Sequence, residues 1–163
     1  MKTLYIHGYK SSLIEPKREI IEKYSEVIAP NRDYDSEPNI YTELKKIIQE
    51  NSINHIIGSS MGGRLAYHLS TELNLPCLLF NPALSGEFIN IKNYSTHFKP
   101  FKKIILGAQD NIVDPYQNFT WLTTHDKSEF TVKWIPDLAH QIPVDIFRKE
   151  VDQFYKCLKV LNF

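Results

Sequence analysis

A serine, an aspartate and a histidine stand at positions 60, 110 and 140, each just beyond a short apolar run. Acyl transfer needs those three residue types: a hydroxyl nucleophile, an imidazole to take its proton, and a carboxylate to fix the imidazole tautomer. The serine carries the clearest signal. Gly58-Ser-Ser60-Met-Gly62-Gly63 contains Gly-x-Ser-x-Gly, preceded by the apolar residues 53–57 and followed by Arg64-Leu-Ala-Tyr-His-Leu69, which opens a helix. A serine on a tight strand-to-helix turn is held in a strained conformation with its hydroxyl exposed. Glycines on either side remove the Cβ atoms that would collide as helix and strand close up. The helix start aims unpaired N–H groups, Met61 first, and the positive end of its dipole at the same place.

Of the six histidines, His55 and His68 lie inside the strand and helix that flank Ser60, and His97 and His125 fall in polar stretches. His140 follows the last strand-like run and precedes the terminal helix. It comes after both serine and acid, in the chain order of nucleophile-elbow enzymes. Three acids compete to orient it. Asp110, in Gly107-Ala-Gln-Asp110-Asn-Ile-Val113, stands directly beyond a strand. Asp114 precedes Pro115 and reads equally as a helix N-cap, and Asp137 reads as a turn residue bonded to its own backbone. Asp110 is favoured, with Asp114 in reserve.

His7-Gly8-Tyr9 ends the first strand. In a doubly wound sheet that loop lies beside the elbow, so the Tyr9 and Met61 amides would form a two-donor oxyanion hole. Losing one such donor costs about 3 kcal/mol of barrier. His7 and Gly8 then border the substrate, unless Gly8 only permits a tight turn. Asn81-Pro82 follows the fourth strand and either lines the pocket or merely ends that strand. No His-Glu-x-x-His or Cys-x-x-Cys accompanies these residues, so no metal is expected.

The elements that must hold these residues alternate. Strands are expected at 2–6, 27–29, 55–57, 76–80, 104–106 and 130–135, and helices at 15–24, 40–50, 61–73, 114–124 and 144–161. That alternation predicts an α/β fold, a doubly wound and mostly parallel six-stranded sheet with helices on both faces. Ligands bind such sheets beyond the carboxyl ends of the strands, where the candidate residues fall. Residues 87–98, with Phe88, Ile89, Tyr94 and Phe98, are too short for a cap domain and read as a surface helix or a small flap.

At 163 residues the chain fits one domain, spanning 1–163. With 19 basic and 19 acidic residues, the charge balance favours neither nucleic acid nor an anionic membrane. The apolar runs are too short to cross a bilayer, and residues 1–6 read as a strand and not as a leader. Two distant cysteines, Cys77 and Cys157, read as reduced thiols of a cytoplasmic protein.

The ordered set His7-Gly8-Tyr9 with Ser11-Ser12, Gly58 to Gly63, Asn81-Pro82-Ala83, Gly107…Asp110…Val113 and His140 resembles the α/β-hydrolase superfamily, and within it the small YqiA-type esterases. Lys17 matches the same early segment. Where that family commonly has a glycine-rich turn before the histidine, Asp137-Leu-Ala stands here. The resemblance implies strand order 2-1-3-4-5-6, a reduced fold without a cap domain, a triad of Ser60, Asp110 and His140, and hydrolysis of acyl esters or thioesters without a cofactor. A small-molecule acyl ester is then the expected partner. A peptidase or lactonase of the same fold, or a binding domain without turnover, would share these features.

Overall fold

The computed structural model describes residues 1–85, 99–126 and 130–162. Six strands, β1 (Lys2–Ile6), β2 (Glu26–Ile28), β3 (His55–Ser59), β4 (Cys77–Phe80), β5 (Lys102–Gly107) and β6 (Phe130–Ile135), form one sheet in the order β2-β1-β3-β4-β5-β6. Every pairing is parallel. Five helices connect them: α1 (Glu15–Glu22), α2 (Ile40–Asn51), α3 (Met61–Leu73), α4 (Pro115–His125) and α5 (Val144–Leu161).

Because successive strand side chains point to opposite faces, the sheet separates two cores. Leu4, Ile6, Ile56, Leu79, Ile104 and Leu106 face α2, α3 and α4. Tyr5, Ile57, Leu78, Phe80 and Ile105 face α1 and α5. Central strands buried on both faces read as unbroken apolar runs, as β4 and the second half of β5 do. Each wholly buried Leu, Ile or Phe is worth about 1.5–3 kcal/mol relative to exposure, so the paired cores dominate the energetics.

β5 begins two residues before its expected start. Lys102 and Lys103 open it, and both are buried. Lys102 Nζ lies 3.1 Å from Asp126 Oδ2, and Lys103 Nζ lies 2.9 Å from Glu150 Oε2. Two lysines look like loop in sequence. Only the carboxylates brought by α5 and by the end of α4 make them tolerable in a sheet. The third strand is likewise longer than expected and runs to Ser59, against the elbow itself. The expectations for residues 87–98, and the missing cap inferred with them, lie outside the described residues. Among the described residues no helix is long and apolar enough to cross a membrane.

Parallel crossovers return every strand in the same direction. The loops after β1, β3, β4, β5 and β6 therefore converge at one edge, and the candidate residues sit on those loops.

Candidate active site

Ser60 is the N-cap of α3, with φ 54° and ψ −122°. An L-residue pays roughly 1–3 kcal/mol for such a conformation, which persists only where its surroundings over-determine it. They do so here. The Ser60 amide donates to the Phe80 carbonyl at 3.0 Å, and the Ser60 carbonyl accepts from the Ala83 and Arg64 amides at 3.0 and 3.1 Å. Glycine is obligatory at position 62, where an added Cβ would stand 2.2 Å from the Ile6 carbonyl oxygen. α3 can start this close to β1 only because that atom is missing.

Three side chains from three loops meet at this edge. His140 Nε2 lies 3.1 Å from Ser60 Oγ, and His140 Nδ1 lies 2.7 Å from Asp110 Oδ2. They are 80 and 30 residues apart in sequence. The His140 side chain is 21% exposed while that of Asp110 is 1% exposed. The base thus opens to solvent and the acid lies behind it. Burial drives the Asp110 carboxyl upward, but hydrogen bonds from His140 and from the Val113 and Ile112 amides outweigh it and hold the group below the ordinary aspartate value. A carboxylate kept ionised against the Nδ1 side leaves Nε2 free to act on the hydroxyl.

The other acids lie elsewhere. Asp114 caps α4, accepting from the Tyr116 and Gln117 amides at 2.8 and 3.1 Å. Asp137 is an exposed residue of the turn after β6. That turn spans the distance without a glycine: the Leu138 amide donates to the Ile135 carbonyl, and the Leu138 carbonyl accepts from the Gln109 amide at 3.0 Å, stitching the histidine loop to the aspartate loop.

The loop after β1 closes on the serine from the other side. A Cβ on Gly8 would stand 3.0 Å from Ser60 Cβ. Neither the Tyr9 nor the Met61 amide has a hydrogen-bond acceptor among the described residues. For Met61 this follows from its place as first residue of α3. Among the described residues, no group of His, Cys, Asp and Glu is arranged to hold a metal.

Three of the residues expected to border substrate are placed differently. His7 is buried and faces inward: its Nε2 accepts from the Arg32 amide at 2.8 Å, so Nδ1 carries the ring proton and donates to the Gly8 carbonyl at 2.7 Å. Asn81 and Pro82 are buried as well, Pro82 packing beneath Gly63. The His7 and Asn81 side chains are spent on hydrogen bonds to neighbouring loops. Gly8 alone of that set stands against the nucleophile.

Residues 31–39 are polar and turn-rich and form the loop between β2 and α2. The fold lays them along the β1 loop, with Tyr34 Oη donating to the His7 carbonyl and Tyr9 Oη donating to Asp35 Oδ2 at 2.8 Å. Nothing in spacing signals these contacts, because they join segments about 25 residues apart through loop geometry alone.

The parallel sheet, its strand order and the elbow after β3 define the α/β-hydrolase superfamily, and the chain has that fold. It belongs to the uncharacterised protein family UPF0227, whose model matches residues 2–95. No curated protein matches it. Solved structures share the fold at low identity. An uncharacterised Bacillus cereus protein is 16% identical with a TM-score of 0.73, over 97% of this chain and 60% of its own. This chain thus spans only about three fifths of that protein's length. A carboxylesterase from the same species is 18% identical with a TM-score of 0.66, over 94% of this chain and 87% of its own. Est1E from Butyrivibrio proteoclasticus is 11% identical with a TM-score of 0.76, over 98% of this chain and 88% of its own.

Proposed function

We propose that this chain is a serine hydrolase of small carboxylic esters or thioesters. One observation carries the reading: a single imidazole lies 3.1 Å from the Ser60 hydroxyl through one nitrogen and 2.7 Å from the Asp110 carboxylate through the other. Likeness to a carboxylesterase fold supports it.

In this reading Ser60 Oγ attacks the ester carbonyl as His140 Nε2 takes its proton. Asp110 steadies the imidazolium without itself accepting the proton. The Tyr9 and Met61 amides receive the oxyanion, each worth about 3 kcal/mol in the transition state. Collapse expels the alcohol or thiol, which takes the proton back from His140. Water activated by the same imidazole then clears the acyl-enzyme and restores Ser60. Every group used is a side chain, a main-chain amide or water. Cys77 is buried and Cys157 exposed, and both are free thiols, which suits a reducing compartment such as the cytoplasm.

The test is a fluorophosphonate probe with peptide mapping. Labelling is expected at Ser60 and absent in Ser60→Ala; labelling elsewhere, or none in a folded protein, would sink the proposal. A p-nitrophenyl ester series is expected to favour short acyl chains, and thioesters and aminoacyl anilides in the same panel rank the leaving groups.

A further inference from the structure

Asn81 is a buried and fully bonded polar residue near the site, yet the mechanism above gives it no task. It is the first residue after β4, is 1% exposed and has φ 42°. Positive φ is uncommon outside glycine, and asparagine tolerates it better than most residues. Its backbone amide donates to the Ile105 carbonyl at 2.9 Å. Its side chain makes three more bonds. Oδ1 accepts from the Gly107 amide at 2.7 Å, and Nδ2 donates to the carbonyls of Ala139 and His140 at 3.0 and 3.1 Å. The partners dictate the orientation of the amide, since one N–H requires an acceptor and two carbonyls require donors. No other uncharged side chain of this size supplies both.

Each bond ends on an element of the site. Gly107 closes β5 and its carbonyl accepts from the Asp110 amide at 3.2 Å, so the bond to Gly107 holds the turn that carries the acid. The other two bonds hold the main chain at Ala139 and at His140 itself. The same short segment reaches the nucleophile, because Phe80 and Ala83 bond the Ser60 backbone on either side of Asn81. The imidazole is therefore fixed twice, at its ring by Asp110 and at its backbone by Asn81. One side chain thus spans both loops beside the 2.7 Å acid–base contact, alongside the Gln109–Leu138 main-chain bond.

We propose that Asn81 is a positioning residue for the acid–base pair, setting the height of His140 against Asp110 and Ser60. The inference rests on the hydrolase reading for its kinetic consequence only. Asn81→Asp keeps the shape and the acceptor for Gly107 but turns an oxygen on two carbonyls, and Asn81→Ser removes the reach altogether. In both variants kcat is expected to fall by about tenfold or more, with KM within about twofold, since the loss is of proton transfer and not of ground-state binding. Fluorophosphonate labelling of Ser60 should slow in parallel.

Imidazole 15N spectra supply a readout that needs no turnover. The unmutated protein should show His140 as one tautomer with the proton on Nδ1, and both variants should show a mixture. A residue that only stabilises the fold would lower the melting temperature and leave tautomer and kcat alone. A folded variant with the parental tautomer, or with kcat within about twofold of the parent, overturns the proposal. If Asn81→Ser fails to fold, Asn81→Asp decides by the same measures. If the unmutated protein hydrolyses no ester, the hydrolase reading fails, while the tautomer result still decides whether Asn81 positions His140.

Discussion

Strand β3 carries a polar group at each end, and the two ends behave in opposite ways. At its exit, Ser60 meets an imidazole that has a carboxylate behind it and solvent in front. At its entrance, His55 is buried against Phe154 and Tyr155, whose rings stand edge-on at 6.3 and 5.7 Å. Hydroxyls are close there too: Thr3 Oγ1, Ser25 Oγ and Tyr155 Oη form a closed triangle with sides of 2.6, 2.7 and 2.9 Å. No carboxylate joins them, and His55 Nδ1 has no hydrogen-bond partner among the described residues. Burial, with a smaller contribution from the N-terminal charge, pushes the His55 imidazolium down to about 4. Histidine near hydroxyls is thus insufficient for chemistry. What separates the ends is one ionised aspartate and an open path to the ring.

Breaking the exit should have the largest effect. Ser60→Ala and His140→Ala are each expected to reduce kcat by about 10⁵-fold or more with the fold intact, since members of such a unit fail together. Steady-state ester hydrolysis beside circular dichroism checks this, and partial activity in either variant would mean that another group serves. Asp110→Asn should cost about 10⁴-fold, because the amide favours the wrong imidazole tautomer. Asp114→Asn, which alters only the cap of α4, is the control and should leave kcat near the parental value.

Changes at the entrance should touch stability and spare catalysis. Thr3→Val keeps the shape but leaves Ser25 and Tyr155 each short of a partner. A loss of about 1–3 kcal/mol is expected in urea titrations, with kcat and KM unchanged. A pH effect belongs to the same region. The unfolded chain protonates histidine near its ordinary 6.5, whereas folded His55 and His68 stay neutral down to about 4. Stability should therefore be whole above pH 6.5 and drain away as pH falls toward 4. His55→Leu, of similar volume, should flatten part of that slope. An unchanged slope would show that His55 titrates normally in the folded protein.

Legibility varied with how local each cause was. The elbow could be read because glycines, a serine and flanking periodicities occupy a dozen consecutive residues. The unbroken apolar run of β4 and the paired isoleucines of β3 announced a sheet covered on both faces. Lys102 and Lys103 hid the start of β5, since a buried ion pair is indistinguishable from a solvated charge until its partner arrives. Asn81 and His7 both follow strands, a place in sequence that fits a pocket residue and, for Asn81, equally a strand-ending turn. Their side chains turn inward to satisfy loops that sequence cannot place beside them.

By itself, then, the sequence determined the alternation of strands and helices, the strained turn at Ser60, and the three residue types able to move an acyl group. Periodicity and glycine placement act over a few residues and leave their mark locally. Only the tertiary structure decided that Asp110 and not Asp114 faces His140, that the unglycinated turn after β6 reaches the serine, and that the Asn81 side chain bonds to both loops. Those outcomes depend on distances of a few ångströms between segments 30 to 80 residues apart. Such distances are set by sheet order and packing together, and no short stretch of chain encodes them.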